Sequence, residues 1–207
     1  MSILWRRARK QAPGDGLGAK AFEQGTEREE VLLLARVARG EMQAFETLYR
    51  AYHPRLSRFL SRMTRRTDLV DETLNDTLHV VWLRADRFDG SAKVSTWIFA
   101  IAYRQALKAL RRFDEPVEDA LELTRPTSAP GPEQLTGLGQ MRAALAKAID
   151  GLSAEHRAVV DLAYFHGMTC QDIAEIVGCP TDTVKTRMFY ARKRLRERLS
   201  GELEDWL

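Results

Sequence analysis

A glycine and a proline, Gly178 and Pro180, separate two runs of helical periodicity, and this junction constrains the fold of the chain more than any other feature. The first run starts at Thr169, a hydroxyl suited to capping a helix. Asp172 follows three residues later, in a capping-box-like arrangement. Ile173, Ala174 and Val177 mark its buried side. Gly178 suits the left-handed conformation that ends a helix, and Pro180 blocks continuation. Thr181 or Thr183 can cap the second run. There Val184, Met188, Ala191 and Leu195 fall at i, i+4, i+7 and i+11, a single apolar stripe. Lys185, Thr186, Arg187, Phe189, Tyr190, Arg192 and Lys193 lie away from that stripe or at its margins. From Lys185 to Arg198 there are seven basic residues and one acid, Glu197. The pattern fits a helix-turn-helix whose second helix enters the major groove of DNA. It also fits an ordinary helical hairpin, because cations favour the C-terminal half of any helix.

The rest of the chain reads as helix too. Val31, Leu34, Ala35 and Ala38 form a short amphipathic run that Gly40 ends. A longer run from Met42 to about Arg65 carries Phe45, Leu48, Tyr49, Tyr52, Leu56, Phe59, Leu60 and Met63. Pro54 is expected to kink or divide it. Asp68 opens a third helix that reaches Trp82, and Asp71, Glu72, Asn75 and Asp76 take its exposed positions. A loop around Gly90 leads to a fourth helix, Val94 to Arg112. Prolines and glycines then crowd Phe113 to Gly139, which suits a tether. Helix resumes from Leu138 to Ile149, and Ser153 caps the next. No stretch alternates with period two for long enough to be a strand. The expectation is an all-α protein of two small helical domains joined by a flexible linker. Its parts are a flexible extension (1–25), an N-terminal domain (26–112), the linker (113–137), a helix-turn-helix domain (138–200) and a tail (201–207).

Net charge is only +3, so bulk charge does not point to nucleic acid; its distribution says more. Residues 92–112 contain Lys93, Arg104, Lys108, Arg111 and Arg112 and no acid, whereas residues 113–123 contain five acids and no base. Charges sorted into blocks suggest separate surfaces for separate partners. The two cysteines, Cys170 and Cys179, make no disulfide framework and suit a reducing cytoplasm. Their spacing with His166 matches no common zinc pattern, so they read as small fillers. No apolar run approaches the length needed to span a bilayer. The N-terminus lacks the apolar core of a secretory signal and reads as a frayed tail.

Four stretches then carry a resemblance: ARVARGEMQAFETLYRAYHPRLSRFL, DLVDETLNDTLHVVWLRADRF, VSTWIFAIAYRQALKALRR, and LSAEHRAVVDLAYFHGMTCQDIAEIVGCPTDTVKTRMFYARKRL. In this order, around a variable linker, they resemble the extracytoplasmic-function (group IV) class of bacterial sigma factors, over roughly residues 27–199. The resemblance implies a sigma region 2-like domain, a region 4-like domain and no cofactor. It implies as partners core RNA polymerase (the β′ clamp and β flap), promoter DNA and an anti-sigma factor, with no small-molecule substrate. Asp71, Glu72 and Asn75 would meet the polymerase, as a polar rim around an apolar contact. Lys93, Trp97, Tyr103, Arg104, Lys108, Arg111 and Arg112 would melt and hold the −10 element, since an extruded base needs aromatic surface and its strand needs cations. Trp97, at helical spacing with Ile101, suits the core better than a base contact. Thr183, Lys185, Thr186, Arg187, Phe189 and Tyr190 would read the −35 element, with Arg192 and Lys193 on phosphates. The chain departs from the family at Ala100, Arg104 and Tyr190. A tyrosine there, where arginine is common, cannot grip guanine with two parallel hydrogen bonds.

Other chemistry finds little support. There is no phosphate-cradling glycine loop, no H-E-x-x-H and no nucleophile elbow, so an enzyme is not expected. A transcriptional regulator acting without a sigma role would suit the C-terminal motif nearly as well. Such a regulator usually carries an α/β receiver, which the helical pattern of residues 27–112 does not match.

Overall fold

Phe59 and Phe99 meet edge to face, 5.4 Å between ring centroids, at the centre of the molecule. The helices that bring them there were defined in a computed structural model, which describes the backbone of residues 16–112 and 137–204 and the side chains of residues 27–112 and 144–199. The first half comprises α1 (Gly16–Ala38), α2 (Met42–Thr64), α3 (Thr67–Arg84), a 3-10 turn (Ala85–Arg87) and α4 (Val94–Arg112). The second half comprises α5 (Gly137–Asp150), α6 (Ala154–Tyr164), α7 (Cys170–Val177) and α8 (Thr181–Glu204). No strand occurs among the described residues, as the all-α reading requires.

Two boundaries differ from those expected. The first helix starts at Gly16, well before the apolar pattern sets in near Thr26. Ala19, Lys20, Ala21, Glu23 and Gln24 are strong helix formers, and propensity carries the helix where no stripe marks it. At the other end α8 continues to Glu204, past the expected end of the domain at residue 200. Residues 1–15, most of the expected linker (113–136) and residues 205–207 lie outside the described residues.

α2 runs undivided through Pro54. A proline inside a helix costs about 3 kcal/mol, and burial on both sides of it offsets this. Tyr52, Leu56, Phe59 and Leu60 are all fully buried, and one such side chain stabilises by about 1.5–3 kcal/mol. The helix ends at Arg65, which takes the left-handed conformation at φ 59° and donates its N–H to the Ser61 carbonyl.

The two halves share one apolar core. Leu48, Phe59, Ile98 and Phe99 from the first half and Ala158, Val159, Leu162 and Ile173 from the second belong to a single buried cluster. A smaller cluster of Leu152, Val160 and Ala191, with Met188 and Leu195 against it, fastens α8 to its own half. The helical periodicity of Val184, Met188, Ala191 and Leu195 therefore does what it predicts. Sequence separation into two domains does not keep them apart in space.

Candidate nucleic-acid interface

The helix-turn-helix is built as its sequence demands. Asp172 N–H donates to the Thr169 hydroxyl, and the Asp172 carboxylate accepts from the Thr169 backbone N–H at 3.0 Å, a complete capping box. Gly178 closes α7 in the left-handed conformation at φ 70°, which a residue without Cβ adopts at little cost. Ile173 and Ile176 anchor α7 in the core; Ala174 and Val177 are only half-buried. Pro180 precedes the first helical residue, Thr181, and its carbonyl accepts from the N–H groups of Thr183 and Val184.

That frame turns one side of α8 outward. Lys185, Thr186, Phe189, Tyr190, Arg192 and Lys193 are all exposed, and Thr183 is half-buried. Lys185 pairs with Asp182 at 2.9 Å, the Thr186 hydroxyl donates to the Asp182 carbonyl, and Lys193 reaches Glu197 at 4.0 Å. Arg192 Nε donates to the Met188 carbonyl. Arg187 differs from the rest. Its side chain is only 21% exposed and is ion-paired with Glu155 of α6.

The −10 candidates divide in two. Arg104, Lys108, Arg111 and Arg112 are exposed and, with Leu107, line a shallow depression of about 490 Å³ on the C-terminal half of α4. Trp97 is half-buried, edge to face against Phe88 at 5.7 Å, in keeping with the core reading of its spacing. Tyr103 is only 3% exposed. Burial pushes its hydroxyl up to about 12, with Glu155 adding to the shift and Arg187 opposing it. Tyr103 therefore faces the second half of the molecule and is covered in this arrangement. Its helical position gave no sign of this, because the surface that covers it lies more than fifty residues away in sequence.

Asp71, Glu72 and Asn75 are exposed along α3, and Glu72 meets Arg112 of α4 at 3.3 Å. Asn75 also borders a groove that the periodicity did not reveal. Met42, Phe45, Tyr49, Leu78, His79 and Trp82 complete its lining, and the Phe45 and Trp82 rings meet at 5.0 Å. These positions fit an apolar stripe, which does not tell a covered side chain from one at the edge of the cover.

Polar contacts fasten the two halves. Arg62 of α2 binds Asp161 of α6 at 2.6 Å. The buried Arg157 guanidinium donates to the Met63 carbonyl at 2.7 Å, capping the C-terminal end of α2. Asp172 accepts from Thr96 at 3.4 Å and lies 3.7 Å from Lys93. Burial pushes the Asp172 carboxyl up, but Thr169, Lys93 and Thr96 together outweigh it and hold its pKa below the usual value. His166 fills the remaining gap, 4.6 Å from the Phe99 ring and 3.1 Å from Asp161. The sequence reading missed Asp161 and Arg157. The signal was available, since both sit among apolar residues of α6 where a charge needs a partner.

Comparison with known proteins agrees with this geometry. Residues 48–114 match the model for Sigma-70 region 2, and residues 148–197 match that for Sigma-70, region 4. The chain is 33% identical over 186 residues to the ECF RNA polymerase sigma factor SigM of Mycobacterium tuberculosis, covering 89% of this chain and 91% of SigM. This chain belongs to the ECF RNA polymerase sigma factors. A second sigma factor, RpoE of Cereibacter sphaeroides, is 32% identical over 158 residues, or 76% of this chain and 87% of RpoE. Among solved structures, RpoE of Bartonella quintana in complex with the anti-sigma factor NepR has a TM-score of 0.61 and 25% identity, covering 77% of this chain and 98% of that one. CnrH, in complex with the cytosolic domain of CnrY, shares the fold at a TM-score of 0.62 and 22% identity, covering 83% of this chain and 97% of CnrH. The family regions fall one in each half of the molecule.

Proposed function

We propose that this sigma factor binds core RNA polymerase through the α3 face around Asp71, Glu72 and Asn75, reads duplex −35 DNA through α8, and holds the opened −10 strand on α4. It contributes binding and positioning to initiation, with no chemistry of its own. The observation that carries this reading is the outward stripe of α8, Lys185, Thr186, Phe189, Tyr190 and Lys193, set on a capped helix-turn-helix. A helix presented in this way fits the major groove, with cations at its edges for phosphates. The exposed cations of α4 offer a second track, suited to a single strand.

In the docked arrangement Tyr103 is covered and Lys93 faces Asp172. Full use of α4 therefore requires the halves to separate, and the docked state is the inactive one. The related RpoE and CnrH structures were determined with an anti-sigma factor and a cytosolic partner domain, respectively. By likeness to them, an anti-sigma factor is the partner that would hold this chain closed. Its work on RNA polymerase assigns it to the cytoplasm, which suits the free thiols of Cys170 and Cys179.

The reading is tested by separating its parts. Lys185→Ala should weaken promoter binding by the assembled holoenzyme and leave co-elution with core polymerase intact. Asp71→Ala with Asn75→Ala should do the reverse. Equal loss of both properties in either variant would count against the assignment.

A further inference from the structure

Deepening the −35 reading, which it presupposes, we infer that Phe189 and Tyr190 set promoter specificity by packing against thymine methyl groups. Phe189 shares a face with Asp182, Thr186 and Lys193, at i−7, i−3 and i+4, opposite the buried stripe of Val184 and Ala191. Phe189 is 58% exposed and Tyr190 52%, and their rings meet edge to face at 5.5 Å. Two large aromatic rings left in water, supporting one another, form an apolar platform in the middle of a reading surface.

Guanine is read most often by a guanidinium that spans its O6 and N7. The N-terminal part of a recognition helix does that reading. In the first three turns of α8, which include Phe189 and Tyr190, the one arginine is Arg187, and it is paired with Glu155 and turned toward α4. Arg192 lies a turn further on, with its Nε committed to the Met188 carbonyl. Lys185 and Lys193 flank the platform and suit phosphates. The Thr186 hydroxyl donates its proton to the Asp182 carbonyl, which leaves its methyl and an acceptor oxygen, but no donor, toward the bases. What remains at the centre is the Phe189 ring and the Tyr190 ring with its single hydroxyl. The one apolar group that the edges of the base pairs display in the major groove is the C5-methyl of thymine.

The test needs no variant in its first arm. Holoenzyme assembled from core polymerase and the full chain selects initiating promoters from a library randomised across the −35 element. Thymine should be enriched at one or more positions. Replacing each selected thymine by deoxyuridine removes the methyl group and leaves base pairing intact. At a contacted position, affinity should fall about fourfold, the value of one buried methyl-sized group. Phe189→Ala should erase the difference between thymine and deoxyuridine there, and Tyr190→Arg should enrich guanine. A selection without thymine, or equal binding of thymine and deoxyuridine throughout by the unaltered protein, would overturn the inference and leave the sigma role standing. Initiation from no library member would overturn both.

Discussion

Arg62 of α2 and Asp161 of α6 meet at 2.6 Å across the seam between the two halves of the molecule, and Asp161 is almost fully buried. A buried carboxylate that loses its cation is an uncompensated charge, which costs about 3–5 kcal/mol when fully desolvated. The Arg62 side chain is about one-third exposed, and solvent screening lowers the expected loss to about 1–3 kcal/mol. Arg62→Ala should therefore weaken docking, and small-angle scattering of the full chain should show expansion. The Arg62 guanidinium also lies over the Phe165 ring at 3.8 Å, so Arg62→Lys should recover only part of the effect. Unchanged dimensions in Arg62→Ala would show that the pair does not hold the seam.

Stability should also depend on pH through Asp172, whose Thr169 contacts cap α7 and whose Lys93 and Thr96 contacts cross the seam. Its folded pKa lies below the usual carboxylate value of 3.8, with Thr169, Lys93 and Thr96 overcoming the effect of burial. A depressed pKa contributes stability that is fully present above the unfolded value and is lost as pH falls through the folded one. Stability, from the α7 cap and the seam together, should be level at neutral pH and decline below about pH 4, and Asp172→Asn should remove that share of the decline. Chemical denaturation across pH, compared between the two proteins, measures it. Identical acid profiles would contradict the assigned contacts.

The capping box is a separate element of stability. Thr169→Ala removes the acceptor for the Asp172 N–H at 3.1 Å and should cost about 1 kcal/mol. Thermal unfolding should register the loss, while core polymerase binding at low temperature should not change. A variant as stable as the parent would mean that water replaces the cap at no cost.

Two cations of α8 should respond differently to removal. Lys185 is exposed and paired with a still more exposed Asp182, so Lys185→Ala should leave stability unchanged. It should lower the slope of log affinity against log salt by about one unit, as expected for one phosphate contact. Arg187→Ala leaves Glu155 without its guanidinium beside the buried Tyr103 and should destabilise the fold by about 1–3 kcal/mol. Salt titrations and melts of the two variants separate the cases. A stable Arg187→Ala with a reduced salt slope would return Arg187 to the DNA-contacting set.

Local physics explains which of these features the sequence disclosed. The Thr169–Asp172 cap, the left-handed Gly178 and the Val184 to Leu195 stripe depend on residues within a few positions of each other, and all are legible from spacing. The exposure of Phe189, Tyr190 and the α4 cations follows from the same periodicity. Tyr103 and Arg187 could not be placed this way. Both sit at helix margins, and their burial comes from the approach of α6 and α7 to α4. Spacing put Phe45 on an apolar stripe but does not show that the cover stops at Phe45 and Trp82, which are half-buried. Of the kink or division expected at Pro54, the division does not occur, because the core on either side offsets the local cost. The shared core of the two halves rests on contacts such as Arg157 with the Met63 carbonyl, which no periodicity encodes. A charged residue in an apolar stripe was the single hint.

The central claim is that this chain gives core RNA polymerase its choice of promoter. Runoff transcription with core polymerase and genomic promoter fragments, with and without the full chain, measures it directly. Discrete transcripts of defined start that appear only when the chain is present are the expected result. Transcription confined to fragment ends, equal in both reactions, would contradict the account.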